Sequence, residues 1–255
     1  MARVLSAASS RYLAYASGVG GSEFTFAAWI NRSSSGANHS SFSRSVNSGT
    51  VGTSILLANS SNKLQLYAET APSQSANITG TTTLNTGTWY HVCGVFKASD
   101  YRIYVDGSLE ASSAHTNSPA SANEISIGSR IYSGSRGEYF NGSIGFCALW
   151  GIGLVADEIL ALGQKLNGVP CGVHPTRIRP ESLVACWPLG GFDGDHDGDI
   201  WTNAYNLTAY NSPTWDEGPA VLYSIPPQII YPASAGGGIA KPALFNSHYQ
   251  NQGWL

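Results

Sequence analysis

The chain has 255 residues, of which 42% are hydrophobic and 11% are charged, and its formal net charge is −3 at pH 7. Charged residues are much rarer than the roughly 25% of typical soluble domains, so serine, threonine, asparagine and glycine must cover much of the surface. No run of Lys or Arg is present, which excludes the electrostatic driving force of nucleic-acid binding.

The sequence contains no clear targeting or membrane-spanning segment. Residues 1–12 lack the continuous apolar stretch that a secretory signal needs, so no Sec export is expected. The most apolar window, residues 144–162, is interrupted by Asp157, Glu158 and several glycines, and it predicts no membrane span.

Alternation of apolar and polar residues predicts β-strands from the first part of the chain onward. The run 24–30 carries apolar side chains at every second position, and residues 63–68 place Lys63, Gln65 and Tyr67 opposite three apolar side chains. A sheet packed on one face explains this pattern.

Two polar segments between these runs, 33–54 and 70–88, are rich in Ser, Thr, Asn and Gly and are predicted as surface loops. Loops longer than about a dozen residues are commonly functional, so the segment 31–53 is a candidate contact surface. The alternative is a mobile connection or an edge strand.

Residues 89–96 and 101–105 predict two antiparallel strands, and Asp106-Gly107 predicts a hairpin turn because both residues tolerate positive φ. Together with the runs 24–30 and 139–150, these strands resemble the laminin-G-like and pentraxin-like branch of the concanavalin A-like jelly rolls, over residues 10–165. The resemblance implies an all-β fold, a two-sheet antiparallel jelly-roll sandwich.

Residues 156–162 predict one short helix, because Asp157 and Glu158 lie in its first turn and Gly163 lies near its end. The resemblance makes this helix a packing element, so its acids are not catalytic candidates.

The segments 183–189 and 206–210 resemble the strands that open this fold, yet here they follow the helix. We therefore predict a circular permutation in which residues 183–215 supply the strands that usually open the fold. The jelly-roll domain would span residues 1–225, followed by a Pro/Gly-rich arm, 226–255, in an extended conformation.

Four aspartates alternate with other residues near position 196, as in the first half of a calcium-binding loop: Asp193, Asp195, Asp197 and Asp199. Ala204 stands where an EF-hand needs a bidentate acid, which excludes that motif. A looser calcium site and a solvated acidic turn remain open, and no cofactor is required. Cys171 and His174 form a single Cys-x-x-His, a far weaker pattern than the paired motifs of zinc sites.

The arm carries apolar side chains in a polar context: Ile229, Ile230, Tyr231, Phe245, Tyr249 and Trp254. Such anchors predict docking into a partner or a second copy, and the alternative is a disordered terminus.

No predicted strand carries the facing carboxylates of a glycosidase, and no Gly-x-Ser-x-Gly elbow occurs, so no catalytic residue is predicted. Four tyrosines near predicted loops offer stacking faces for sugars: Tyr132, Tyr139, Tyr205 and Tyr210. Three tryptophans in strand patterns are expected in the core: Trp29, Trp89 and Trp150.

The sequence is compatible with three classes of function. We predict a non-enzymatic structural protein of a bacteriophage virion, because the permuted jelly roll and its Pro-Pro-x-Ile-Ile-Tyr-Pro tail resemble structural proteins of tailed bacteriophages. It would decorate the capsid or tail at the virion surface as a homo-oligomer, contact other virion proteins through the arm and also grip surface glycans. The alternatives are a free carbohydrate-binding module and a glycoside hydrolase.

Overall fold

Two antiparallel β-sheets face each other across one hydrophobic core in the computed structural model. It describes residues 2–16, 21–46, 53–71, 74–98, 100–114, 119, 122–132, 134–190, 197–216 and 218–219. All of these residues lie within one compact unit, Met1–Ser224. The predicted docking side chains of the arm lie outside the described residues.

In chain order the strands are β1 (Ala2–Leu5), β2 (Tyr12–Tyr15), β3 (Glu23–Arg32), β4 (His39–Ser45), β5 (Ser54–Ala58), β6 (Lys63–Ala71), β7 (Gln74–Thr83), β8 (Trp89–Lys97), β9 (Tyr101–Val105), β10 (Ser108–Ser113), β11 (Glu124–Ile127), β12 (Arg130–Tyr132), β13 (Ser135–Gly137), β14 (Gly142–Trp150), β15 (Lys165–Leu166), β16 (Val169–Pro170), β17 (Leu183–Trp187), β18 (Thr208–Tyr210) and β19 (Thr214–Asp216). The α-helix of the described part is α1 (Ala156–Gly163), and two 3-10 turns follow it at Pro175–Arg177 and Pro180–Ser182.

The first sheet has the strand order β10-β9-β8-β3-β14-β1-β19, and β17 joins it by pairing with β14. Both β1 and β17 pair with β14: β1 pairs with its first residues and β17 with its last residues. The two strands therefore follow one another along the same edge of β14. The second sheet has the order β18-β2-β11-β4-β5-β6-β7. The prediction of an all-β, two-sheet antiparallel jelly roll with one short helix is confirmed.

Aromatic rings from both sheets meet in the core. Phe24 stacks on Phe96 at 4.5 Å between ring centroids, and Phe26 stacks on Phe42 at 4.2 Å. The buried guanidinium of Arg44 lies 4.3 Å from the Phe24 ring centroid. These contacts join β3 and β8 of the first sheet to β4 of the second, so they fix the distance between the two layers.

The Ser-rich segment 33–54 contains β4, and the segment 70–88 contains β7, so the prediction of two long surface loops is wrong. Every residue of β4 is buried in the middle of the second sheet. Its hydroxyls are satisfied there: Ser41 donates to the Leu56 carbonyl oxygen at 2.8 Å, and the Ser43 and Ser45 hydroxyl oxygens lie 2.7 Å apart. Short hydroxyl side chains with local partners can be buried without the apolar alternation that identifies a strand.

Several local predictions are correct. The hairpin β9-β10 turns at Asp106 and Gly107, where φ is +49° and +78°. The helix forms as expected, and the segment 183–210 contributes β17 to the first sheet and β18 to the second. The permuted order of these strands relative to other jelly rolls stays a prediction.

The expected tryptophan core is partly wrong. Trp29 and Trp150 are buried, whereas Trp89 is half-buried at the start of β8. All four cysteines are free thiols, and Cys171 alone of them is not fully buried. Within the described residues, no helix has the length and apolar character needed to cross a membrane.

Candidate binding groove on the second sheet

The hairpin β12-β13 lies across the outer face of the second sheet. At one end, the guanidinium of Arg136 donates to the hydroxyls of Ser126 at 3.1 Å and Ser129 at 2.9 Å. At the other end, Tyr132 meets Tyr67 of β6 edge to face, with the ring centroids 6.3 Å apart. The hairpin therefore extends over the sheet from β11 to β6.

A groove of about 210 Å³ opens between this hairpin and the sheet. Leu56 of β5 points into the core, so Ile55 and Leu57 on either side of it face the groove and form its apolar floor. These two side chains are 1% and 5% exposed. The groove is lined by Asn38, Ile55, Leu57, Gln65, Tyr67, Arg130, Tyr132 and Glu138.

Tyr67 and Tyr132 supply the aromatic walls of the groove, and both are half-buried. The Tyr67 hydroxyl donates to Glu69 Oε2 at 2.8 Å. Burial, followed by the hydrogen bonds to Glu69 and Tyr132, raises the pKa of Tyr67 well above its usual value. Tyr67 therefore stays a neutral phenol at physiological pH and offers an uncharged ring face.

The polar side chains of the groove are held in place by one another. Glu138 accepts from Asn38 Nδ2 at 2.9 Å through Oε1, and its Oε2 lies 3.1 Å from Arg130 Nε. The Arg130 guanidinium lies 4.9 Å from the centroid of the Tyr132 ring. Gln65 donates to Asn77 Oδ1 at 2.7 Å. This mutual support fixes the groove before any ligand enters, which lowers the entropy cost of binding.

A second aromatic cluster lies on the far side of the hairpin. Tyr12 stacks on Tyr210 with centroids 4.5 Å apart and rings 6° from parallel, and Tyr139 lies 6.2 Å from Tyr12. The guanidinium carbon of Arg136 lies over the Tyr12 ring, 4.0 Å from the ring centroid. Tyr210 is 40% exposed, so the cluster presents aromatic surface to solvent.

Residues 7–160 match the family model of the concanavalin A-like lectin/glucanases superfamily. The chain belongs to this superfamily. The match covers more than half of the chain and includes the groove but not β17, β18 and β19. Comparison with curated protein sequences gave no significant match.

Solved structures share the concanavalin A-like fold at low sequence identity. A Bacteroides ovatus protein, provisionally assigned as carbohydrate-binding, has a TM-score of 0.64 and 22% identity; 87% of this chain aligns with 61% of that protein. The CBM40 of the Ruminococcus gnavus IT-sialidase, solved with α2,3-sialyllactose, has a TM-score of 0.51 and 14% identity over 56% of this chain and 83% of that one. A mutant of the NanB sialidase from Streptococcus pneumoniae has a TM-score of 0.52 and 14% identity; 58% of this chain aligns with 25% of the sialidase.

The four tyrosines selected from the sequence separate into three environments in this concanavalin A-like sandwich. Tyr132 lines the groove, and Tyr139 and Tyr210 belong to the second cluster. Tyr205 instead packs against Tyr15 at 5.3 Å between centroids, beside the core. Tyr132, Tyr139 and Tyr210 therefore lie around the hairpin, and Tyr205 packs beside the core.

Asn38 lies in the segment 31–53 that the sequence offered as a contact surface, but the sequence did not point to the other groove residues as a site. The alternation in β6 placed Gln65 and Tyr67 together on the face away from the core, which was the available signal. The positions of Arg130 and Glu138 depend on how the hairpin β12-β13 folds back over that face, and no local pattern encodes this.

The acidic loop is engaged with the protein where the structure describes it. The buried carboxylate of Asp199 accepts from the amides of Cys186 and Trp201, each at 3.0 Å, and from the Thr202 hydroxyl at 2.5 Å. Asp197 forms an ion pair with Arg3, whose Nε donates to Oδ1 at 2.7 Å.

The other two members of that quartet, Asp193 and Asp195, lie outside the described residues. Among the described residues, no three His, Cys, Asp or Glu side chains are grouped so as to hold a metal ion. A calcium site that uses the whole quartet stays a prediction.

Proposed function

We propose that this protein is a non-enzymatic, lectin-like module that binds carbohydrate in the groove beside Tyr67 and Tyr132. The observation that carries the proposal is the pairing of these half-buried rings with amide, guanidinium and carboxylate groups in the groove between the hairpin and the sheet. A sugar ring stacks its C–H face on an aromatic ring, and its hydroxyls need both donors and acceptors. The groove supplies both kinds of contact.

The comparisons support the same class of function without fixing it. The superfamily includes lectins and glucanases, and the structural neighbours include a sialidase CBM40 and a protein provisionally assigned as carbohydrate-binding. Because one fold hosts many functions, the proposal depends on the side chains of the groove and not on the fold.

Substitution of Tyr67 tests the proposal. We expect Tyr67→Ala to weaken binding to glycans on an array roughly tenfold or more, since a central aromatic contact dominates such sites. Tyr67→Phe keeps the ring and should lose much less. Tyr210→Ala is the matched control, because it removes an exposed tyrosine outside the groove. A loss for Tyr210→Ala with no loss for Tyr67→Ala would move the site to the second cluster.

Hydrolysis of the bound glycan is the competing function. The two carboxylates near the groove rings already have side-chain partners: Glu69 holds Tyr67, and Glu138 holds Asn38 and Arg130. These partnerships support a binding role for the groove. Turnover of any member of a polysaccharide panel by the purified protein would contradict the non-enzymatic proposal.

We further propose that the module works at the surface of a bacteriophage virion, as a homo-oligomer joined to capsid or tail proteins through residues 226–255. The support is the sequence of the arm and the polar, weakly charged composition. Mass spectrometry of purified particles from a lysate that contains this chain tests the setting. Absence of the chain from the particles would overturn it and leave a free module.

A further inference from the structure

The cationic group of the groove is neutralised by the protein itself. Arg130 Nε lies 3.1 Å from Glu138 Oε2, with 27% and 17% of the two side chains exposed. The other carboxylate oxygen of Glu138 accepts from Asn38 Nδ2 at 2.9 Å. Asn38 thus holds the Glu138 carboxylate by one oxygen, and the other oxygen pairs with Arg130. A ligand therefore meets an Arg130 guanidinium that already has a counter-charge.

A second carboxylate adds negative charge to the same place. Glu69 Oε2 accepts from the Tyr67 hydroxyl at 2.8 Å, directly behind the aromatic wall. The guanidinium of the groove is therefore already paired with Glu138, and the Glu69 carboxylate lies next to the Tyr67 hydroxyl. A ligand carboxylate placed on the tyrosine rings would have to compete with Glu138 for Arg130.

Two other cations of this face, among the residues that the structure describes, lie away from the groove. Arg136 pairs with Glu124 on the far side of the hairpin. The Lys63 ammonium donates to the Thr83 hydroxyl at 2.7 Å and to the Thr81 carbonyl. Lys63 lies four residues from Tyr67 along β6, about 13 Å away at the rise of a strand.

From the pairing of Arg130 with Glu138 we infer that the groove selects sugars without a carboxylate and discriminates against sialylated and uronic-acid-containing glycans. The inference rests on the proposed function, because it names the class of sugar for the same groove. Glu138 is the specificity-determining residue: it removes the charge that an acidic sugar would need from Arg130.

Matched pairs of immobilised glycans that differ only in a terminal sialic acid test the inference. Wild-type protein should bind the neutral member and bind the sialylated member several-fold more weakly. Glu138→Gln keeps an oxygen that can accept from Asn38 and frees Arg130. This variant should therefore improve binding to the sialylated member by roughly two- to fivefold, the range of an exposed ion pair.

Three controls distinguish the release of Arg130 from a general increase in nonspecific binding. The double variant Arg130→Gln/Glu138→Gln should lose the gain, because the freed guanidinium is its source. Lys63→Gln should leave the neutral preference unchanged. The gain of Glu138→Gln should also fall as salt is raised, while binding to neutral glycans stays constant.

The outcomes distinguish the two proposals. If wild-type protein binds no glycan of either type, the proposed function fails and the selectivity fails with it. If it binds sialylated members as well as or better than neutral ones, the inference is overturned and the proposed function survives. The wild-type comparison decides the matter even if Glu138→Gln does not fold.

Discussion

At the scale of single residues, two buried ionisable side chains of this sandwich, Arg32 and Asp199, are held by hydrogen bonds to backbone and neutral side-chain groups. The guanidinium of Arg32 is 1% exposed, and it donates to the Leu84 carbonyl oxygen at 3.2 Å and to Asn62 Oδ1 at 2.9 Å. Asp199 is held by the amides described above. Because a buried polar group without a hydrogen bond is very costly, these bonds give both side chains a structural role.

His91 differs, because its charge is suppressed by its surroundings. It is a buried residue of β8 on the face of the first sheet that carries α1, and its ring meets Trp29 at 5.3 Å between centroids. Burial, and then the positive charge of Lys165, lowers the pKa of His91 to about 3. The imidazole is therefore neutral in the folded protein at any physiological pH.

The neutral His91 makes stability fall on mild acidification. The unfolded chain takes up a proton near pH 6.5 and the folded chain does not, so the stabilisation is complete above pH 6.5 and is lost as pH falls from 6.5 towards 3. We expect about 2 kcal/mol less free energy of unfolding at pH 5 than at pH 7 from this residue, measured by urea titration. His39, whose pKa is lowered to about 4 by burial and by Arg32, acts in the same direction.

The titration of His91 can also be followed directly. Its imidazole NMR signals should show no protonation between pH 7 and pH 5. A midpoint near 6.5 in the folded protein would contradict the assignment, whatever the unfolding data show.

At the scale of elements, the two sheets are joined at one edge by a single carboxylate. β10 is an edge strand of the first sheet and β7 an edge strand of the second. Glu110 of β10 accepts four hydrogen bonds from β7, from the amide and hydroxyl of Thr81 at 2.6 and 2.7 Å and from the amide and hydroxyl of Thr82 at 2.7 and 2.6 Å. These bonds tie together two edges that otherwise expose unpaired backbone groups.

Glu110→Gln should loosen this edge. Partial burial opposes ionisation of Glu110, but the hydrogen bonds from Thr82 and Thr81 outweigh it and lower its pKa to about 2. An amide keeps one acceptor oxygen, so we expect a loss of about 1–2 kcal/mol in the free energy of unfolding at pH 7 after allowance for solvent. The loss should shrink as pH falls below 4.5, since the wild-type carboxylate is then protonated more readily in the unfolded chain.

Glu181→Gln is the matched control for this prediction, because Glu181 is an exposed acid whose ion-pair distance to Arg179 is 3.9 Å. It should change stability by less than about 0.5 kcal/mol. Equal effects of the two substitutions in urea unfolding would show that Glu110 does not link the sheets.

The elements that the sequence predicts well are those with local chemistry. Asp106-Gly107 needs only its own backbone freedom to form a turn, and the acids of α1 act within one helical turn. β4 escaped prediction because its serines are satisfied by partners on β5 or within the strand itself, as Ser41 is by Leu56. The groove was not predicted either, since Tyr67 and Tyr132 are brought together only when the hairpin β12-β13 folds over the sheet.

At the scale of the whole molecule, the two ends of the described chain complete the sandwich together. β19 pairs with β1 at the edge of the first sheet, and β18 pairs with β2 at the edge of the second. The Arg3 guanidinium lies 3.2 Å from the centroid of the Trp215 ring and pairs with Asp197. Every strand of the described part is in place by Asp216, so both sheets and the core are formed before the arm begins.

Because every described strand ends by Asp216, deletions can test the roles of the sandwich and the arm separately. Deletion of residues 226–255 should leave the urea midpoint and glycan binding within error of the full chain, because the strands, the core and the groove all precede the deletion. Deletion of residues 206–255 is the control. It removes β18, β19 and Leu207, which is 7% exposed and packs in the core, so it should unfold the protein or destabilise it by several kcal/mol.

If the arm docks the protein onto a virion, deletion of residues 226–255 should abolish incorporation into particles while the protein stays folded and binds sugar. Unchanged incorporation would overturn the docking role, whereas a lowered urea midpoint would mean that the arm also stabilises the fold.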